Sequence, residues 1–345
     1  TLMRSSAASD VYKRQIQDIA DKMGVSKSTV SKALNDAPDI SEALRKQVLE
    51  TAVALGYTKL RRYKKPTKKV CIIIEKENMR YQEPHHFAYD ILVGFRQMAE
   101  PAGFDVEIVP VDIKTQRSQH YDVFMLEHDY IGAFVVGFSL SDPWIQDFKI
   151  SRTPAVLFDN YIVGNPSTAY VGIDNEEGME LAVSYLAGLG HRKIAYLSSS
   201  LGARVLQARH AAFLRSMHQH GLKTSPAAIG CSYYLSECME KHLPRFLENG
   251  ITAIICNQDT LASATLTQCQ QLGFQVPDDI SIIGFDDLPI AACTSPPLTT
   301  IRQDRLELGK SGFFALSSLL NHIPISTYLL HAQLIQREST RKIPL

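Results

Sequence analysis

The sequence predicts two unlike parts: a small all-α helix-turn-helix headpiece at the N-terminal end and a large α/β core of doubly wound parallel sheet. Three observations predict it. Apolar residues recur at three- and four-residue spacing from Ile16 to Leu34 and again from Leu44 to Leu55. From Val70 onward the pattern changes to short β-rich runs separated by amphipathic helical stretches. The charge changes at the same place: residues 11–69 carry 14 Lys and Arg against 6 Asp and Glu, and residues 70–345 carry 21 against 29. A chain neutral in total is therefore polarised, as phosphate binding at its basic end requires.

In IQDIADKMGVSKSTVSKALN, Ile16, Ile19, Ala20 and Met23 form one buried helix face. Gly24 ends that helix by accepting a left-handed backbone, and Ser26 caps a second helix running to about Leu34. Val30, Ala33 and Leu34 face inward along it, which leaves Lys27, Ser28, Thr29, Ser31 and Lys32 outside. Two helices around a glycine also describe an ordinary helical hairpin with a solvated face. Two features favour DNA. A third helix from Ser41 to Leu55, with Leu44, Val48, Ala52 and Leu55 on one stripe, can hold the second helix outward, and the whole segment is basic. The major groove admits a helix with this donor-rich, cationic face. Residues 1–15 fit nothing that follows and are read as a non-native or disordered leader; the headpiece spans 16–57, a basic linker 58–69 and the core 70–345.

In the core, strands are expected at VCIII (from Val70), FDVEIV (Phe104), IGAFVV (Ile131), PAVLF (Pro154), KIAYL (Lys193), ITAIIC (Ile251) and ISIIGF (Ile280). Helices are expected over Phe87–Ala99, Glu176–Leu189, Gln207–Gln219, Leu235–Asn249 and Thr260–Leu272. Alternation of the two argues for parallel sheet covered on both faces, in one large sheet or in two. No apolar run is long enough to span a membrane, and the six cysteines include no CxxC pair, which points to reduced thiols in the cytoplasm and to no metal site. No GxGxxG follows a strand, and there is no GxxxxGK[ST] or GxSxG, so no cofactor and no catalysis are expected. His191 precedes a buried strand beside two cations and reads as structural.

GVSKSTVSKALN and ISEALRKQVLETAVALGY, followed in order by VGIDNEEG, LGHRKIAYL, QDTLA, VPDDISIIGFDD, PPLTTIRQD and LIQREST, resemble the LacI/GalR (lactose-repressor) family of bacterial transcription regulators over about nine tenths of the chain. The resemblance implies a cytoplasmic homodimer on double-stranded operator DNA. It also implies a periplasmic-binding-protein-like core of two lobes with a small-molecule effector, a sugar or sugar derivative, between them. The N-lobe is expected at about 70–166 and 295–325, and the C-lobe at about 167–294 and 326–345, closed by YLLHAQLIQ. A secreted solute-binding protein or an α/β sugar enzyme is the alternative; the headpiece argues against the first and the missing phosphate loop against the second.

On that resemblance the DNA-binding residues are Ser26, Lys27, Ser28, Thr29, Ser31, Lys32 and Asn35. Thr29, Ser31 and Asn35 are assigned mainly to phosphates, and Lys27, Ser28 and Lys32 to base edges. The linker TKLRRYKKPTKK lacks the family's leucine-bearing hinge pattern, so a wedge in the minor groove is not expected. Ligands of open parallel sheets bind beyond the carboxyl ends of the strands. Phe87 (after His85 and His86), Asp159, Arg209 and Asp259 lie there. An arginine fork, a carboxylate and an aromatic platform suit vicinal hydroxyls above a flat apolar face. The resemblance places Arg209 on effector hydroxyls, Asp259 opposite it and Phe87 in stacking. Asp174 and Asp286 read as helix caps.

Overall fold

The headpiece forms because its helices start at capping residues and share apolar stripes. The computed structural model describes residues 15–35, 37–57, 68–76, 83, 86–158, 160–199 and 201–343. Helix α1 occupies 15–23, α2 Lys27–Leu34 and α3 Glu42–Ala54. Gln15, expected in the leader, already lies in α1; residues 1–14 lie outside the described residues. Gly24 takes φ +66°, the left-handed turn its position between two helices requires. Ser26 and Ser41 accept hydrogen bonds from the amides of Thr29 (3.1 Å) and Leu44 (3.3 Å), each satisfying an otherwise unpaired donor of the first turn. Ile16, Ile19, Ala20, Val30, Ala33, Leu34, Val48, Leu49 and Ala52 close on one another as a core. The linker reading falls mostly on residues 58–67, outside the described residues.

The core is built of β1 (Lys69–Glu75), α4 (Phe87–Ala99), β2 (Asp105–Val111), α5 (Ile113–Ser118), α6 (Tyr121–Glu127), β3 (Ala133–Val136), α7 (Trp144–Asp147), β4 (Ala155–Phe158) and β5 (Thr168–Ile173). The chain then crosses over to α8 (Asn175–Gly188), β6 (Ile194–Ser198), α9 (Arg204–Gln219), β7 (Ile229–Cys231), α10 (Leu235–Glu237), α11 (Leu243–Glu248), β8 (Ala253–Cys256), α12 (Asp259–Gln271), β9 (Ser281–Asp286), α13 (Pro289–Cys293) and β10 (Thr299–Arg302). It returns through α14 (Arg305–Leu320) and β11 (Thr327–Leu330), and ends in β12 (Gln333–Ile335). Two six-stranded sheets result, in the orders β11-β5-β4-β3-β1-β2 and β12-β10-β9-β8-β6-β7. Among the described residues all pairings are parallel except β10 with β12. Central strands such as KVCIIIE, buried on both faces, can only be satisfied by helices above and below.

The lobe boundaries differ from those expected. β5 pairs with β4 (Ala155 opposite Thr168) and so belongs to the N-lobe, although residues 167 onward were expected in the C-lobe. β10 pairs with β9 in the C-lobe, where 295–325 was expected in the N-lobe. YLLHAQLIQ does not close the second lobe as one strand: β11 joins the first sheet beside β5 and β12 joins the second beside β10. Strand membership follows long-range pairing, which a local pattern does not contain. The helix expected at Leu235–Asn249 is broken by a π-helical turn over Cys238–His242, ahead of Pro244, which has no N–H to continue the ladder. All six cysteines are free; Cys71, Cys238, Cys256 and Cys269 are buried, whereas Cys231 and Cys293 are exposed. Among the described residues no helix is long and apolar enough to cross a membrane.

Candidate functional site

The first candidate surface is the outer side of α2. Lys27, Ser28, Lys32 and Asn35 are exposed and Thr29 and Ser31 half-exposed, while Val30, Ala33 and Leu34 point into the headpiece core. Not all of these polar groups are uncommitted. Ser26 caps the helix and its hydroxyl also lies 2.6 Å from that of Ser28 and 2.8 Å from that of Thr29. The Asn35 amide donates to the Ser31 carbonyl at 2.7 Å and so closes the C-terminal end. Lys32 pairs with Asp39 at 2.5 Å, and this hydrogen bond holds the exposed Asp39 carboxyl below its usual range. A base or phosphate contact by Lys32 competes with that carboxylate for the ammonium. Lys27 stands most open.

The second site lies where the lobes meet. Three crossings join them, after β5, after β10 and between β11 and β12. Across the cleft the Leu140 amide donates to the Gly202 carbonyl at 3.0 Å, and the Arg204 amide to Asn160 Oδ1 at 3.3 Å. Asn160 itself is buried and holds the Phe138 carbonyl at 2.5 Å. A cavity of about 500 Å³ opens between N-lobe residues Tyr161, Tyr170 and Ile173 and C-lobe residues Asn175, Arg204 and Gln207.

Arg209 lies behind this wall and is 4% exposed. Its Nε donates to Asn175 Oδ1 (2.8 Å) and its Nη1 to the Asn257 carbonyl (2.8 Å), while the guanidinium stacks over Phe285 at 3.8 Å. The carboxylate set opposite it is Asp286, whose Oδ1 is 3.7 Å from Nη1. Asp286 is therefore no helix cap. It sits at the end of β9 with φ +112°, a backbone that aspartate tolerates better than most residues, and Gln303 donates to it at 2.6 Å. Burial pushes its carboxyl up to about 6 against the opposing pull of Arg209 and Gln303. Asp174, by contrast, is a cap, accepting from the amides of Glu176 and Glu177.

Asp259 is wholly buried and fully occupied. Oδ1 accepts from the Thr300 hydroxyl (2.6 Å) and Oδ2 from the Leu288 amide (2.7 Å), and burial, with the neighbouring Asp286, pushes its carboxyl up to about 8. The site exists because residue 284 is glycine: a Cβ there would lie 2.1 Å from Asp259 Oδ1. Asp259 thus braces the β8–β9–β10 ends behind Asp286 rather than standing opposite Arg209 in the cleft. Phe87 belongs to a different cluster; half-buried at the start of α4, its ring lies 5.7 Å from that of Phe158. Asp159 and His85 lie outside the described residues. His191 is buried between the Thr252 hydroxyl (2.9 Å) and the Arg341 carbonyl (3.1 Å), a structural bridge, and burial holds its imidazole below the usual range. Sequence reasoning passed over Asn160, Asn175 and Asn257 and read Asp286 only as a cap. Only Asp286 left a signal, in the consecutive aspartates of GFDD.

A three-helix headpiece with a donor-rich outer helix, joined to a two-lobed parallel-sheet core with a cleft, is the build of a ligand-responsive DNA-binding regulator. Comparison with known proteins agrees on both halves. Residues 15–59 match the model of the lacI family of bacterial regulatory proteins, and residues 183–340 match the periplasmic binding protein-like domain. The HTH-type transcriptional repressor PurR of Aliivibrio salmonicida (strain LFI1238) is 27% identical over 339 residues, 95% of this chain and 99% of that protein. The HTH-type transcriptional repressor CytR of Escherichia coli (strain K12) is 27% identical over 337 residues, 95% and 97% of the two chains. In fold, the chain is similar to the transcriptional regulator CelR–cellobiose complex (TM-score 0.69, 21% identity, 94% of this chain and 99% of that one). It is also similar to the Lac repressor bound to ONPG (TM-score 0.67, 23% identity, 94% and 98%). The chain carries a lacI-family helix-turn-helix domain followed by a periplasmic-binding-protein-like domain, and is a DNA-binding transcriptional regulator.

Proposed function

We propose that the protein is a cytoplasmic, homodimeric repressor that acts by binding rather than by catalysis. Two headpieces engage adjacent major-groove half-sites of a near-palindromic operator, and a small molecule held between the lobes sets the affinity. The observation that carries this reading is the capped helix α2 with Lys27, Ser28 and Lys32 exposed on its outer face. Lys27, Ser28 and Lys32 read base edges, Thr29, Ser31 and Asn35 contact phosphates, and Ser26 holds the helix start.

The effector is a sugar or sugar derivative. Arg209 lies next to Asn175, which lines the cavity, and Tyr161 and Tyr170 offer flat apolar faces beside the polar groups of Arg204 and Gln207. Phe87 and Asp159 are assigned to the N-lobe side of the same ligand. A solved relative of this fold carries cellobiose, which supports a carbohydrate. The test is selection of duplexes from a random library by the full chain, at moderate ionic strength, followed by a thermal-shift screen against mono- and disaccharides, sugar phosphates and nucleosides. The reading expects one enriched, two-fold symmetric sequence and a carbohydrate that changes its affinity. No enrichment over competitor DNA, with or without these compounds, overturns it.

A further inference from the structure

The headpiece core is not made of headpiece residues alone. Val123 and Leu126, both 3% exposed, belong to the N-lobe helix α6 but are buried in the same cluster as Val30, Val48 and Ala52. Around that contact Lys46 on α3 donates to the Ser118 carbonyl at 2.9 Å, at the end of α5. Gly56, at φ +85°, lies so close to the Arg152 guanidinium that a Cβ would come within 1.9 Å of Nη1. Arg152 is in turn fixed to α6, since the buried Asp122 accepts from the amides of Arg152 and Thr153, both at 3.0 Å. The contact uses α3 and the chain end after it, and leaves the outer face of α2 exposed.

The other side of α6 reaches toward the cleft. Phe124 and Tyr121 place their rings 5.1 and 5.6 Å from that of Trp144, whose Nε1 donates to the Gln119 carbonyl at 2.9 Å. Trp144 lies 6.4 Å from Phe138, and two residues further Leu140 makes its bond to Gly202 of the C-lobe. Close-packed aromatic rings have little room to give, so this run of contacts is a stiff physical link between the cleft and α6.

We propose that the outer face of α6 is a docking surface for the chain's own headpiece, through which movement of the lobes is carried to the recognition helix. The proposal rests on the DNA-binding reading only for its consequence; the docking itself is independent of DNA. Apolar contact between two folded units restricts the orientations of α2, and a tilt of α6 changes where its donors point.

Hydrogen exchange of the full chain, read by mass spectrometry, tests the seat. Val123→Asp should speed exchange across Glu42–Ala54 at least threefold while β3 and β4 keep their protection, which certifies the lobe as folded. Lys46→Glu, an exposed change, should act in the same direction and less strongly. Unaltered α3 exchange in both variants overturns the proposal. Coupling is tested with Ser139→Cys and Gly202→Cys in a Cys231→Ser, Cys293→Ser background, oxidised by oxidised glutathione to lock the lobes. The oxidised and reduced forms should differ in α3 exchange and in emission of Trp144, the single tryptophan. Adding Val123→Asp should abolish the α3 difference. Identical α3 exchange in the two forms rejects the route. None of these readouts uses DNA, so failure here leaves the operator reading standing, and a docked headpiece that selects no duplex removes that reading alone.

Discussion

In one small volume burial and the Arg209 cation act against each other at Asp286, whereas at Asp259 burial and the neighbouring Asp286 act together. Asp259 has its carboxyl raised from 3.8 to about 8, so the folded protein binds its proton more tightly than the unfolded chain does. The stability this contributes is complete below about pH 4 and is lost as pH rises through about 8; Asp286 contributes in the same sense between about pH 4 and 6. Asp259→Asn should therefore flatten the decline of the melting temperature between pH 4 and 8, and an unaltered slope would place the titrating group elsewhere. Arg209→Ala leaves Asp286 buried without its cation, so a loss of about 3–5 kcal/mol is expected in urea unfolding, partly restored by adding Asp286→Asn. On α2 the same logic of competing partners applies to Lys32. Lys32→Ala should weaken preference at one base position by about 1–3 kcal/mol. Asp39→Asn releases the lysine and should tighten binding to the selected duplex; weaker binding would mean that Asp39 orients Lys32 instead.

Among the elements, α2 depends most on a single terminal group. Ser26→Ala removes the acceptor for the Thr29 amide, and headpiece stability should fall by about 1 kcal/mol in thermal unfolding followed by exchange of α2 amides. Helices with a clean 3.6-residue stripe were readable at residue level: Phe87–Ala99 is found as expected, and Asp259–Gln271 begins one residue early. β5, β7 and β10 were not foreseen. TAYVGI and IGC are interrupted by glycine, and TTIR has one aliphatic residue among polar ones, so their strand character comes from neighbours rather than from their own pattern.

Over the whole molecule, the charge asymmetry predicts the salt response. DNA affinity should fall steeply between about 50 and 200 mM salt, because the basic headpiece displaces counterions, and a flat dependence would count against phosphate contact.

The helix-turn-helix, the alternation of buried strands with helices and the division of charge are local or additive properties, so the order of residues was enough to reveal them. The pairings that assign β5 and β11 to one lobe and β10 and β12 to the other were not so readable. Neither was the choice of Asp286 over Asp259 as the partner of Arg209, nor the burial of Val123 and Leu126 under the headpiece. Each of these brings together residues far apart along the chain, and which distant groups share a buried volume is decided only when the sheets close and water is excluded.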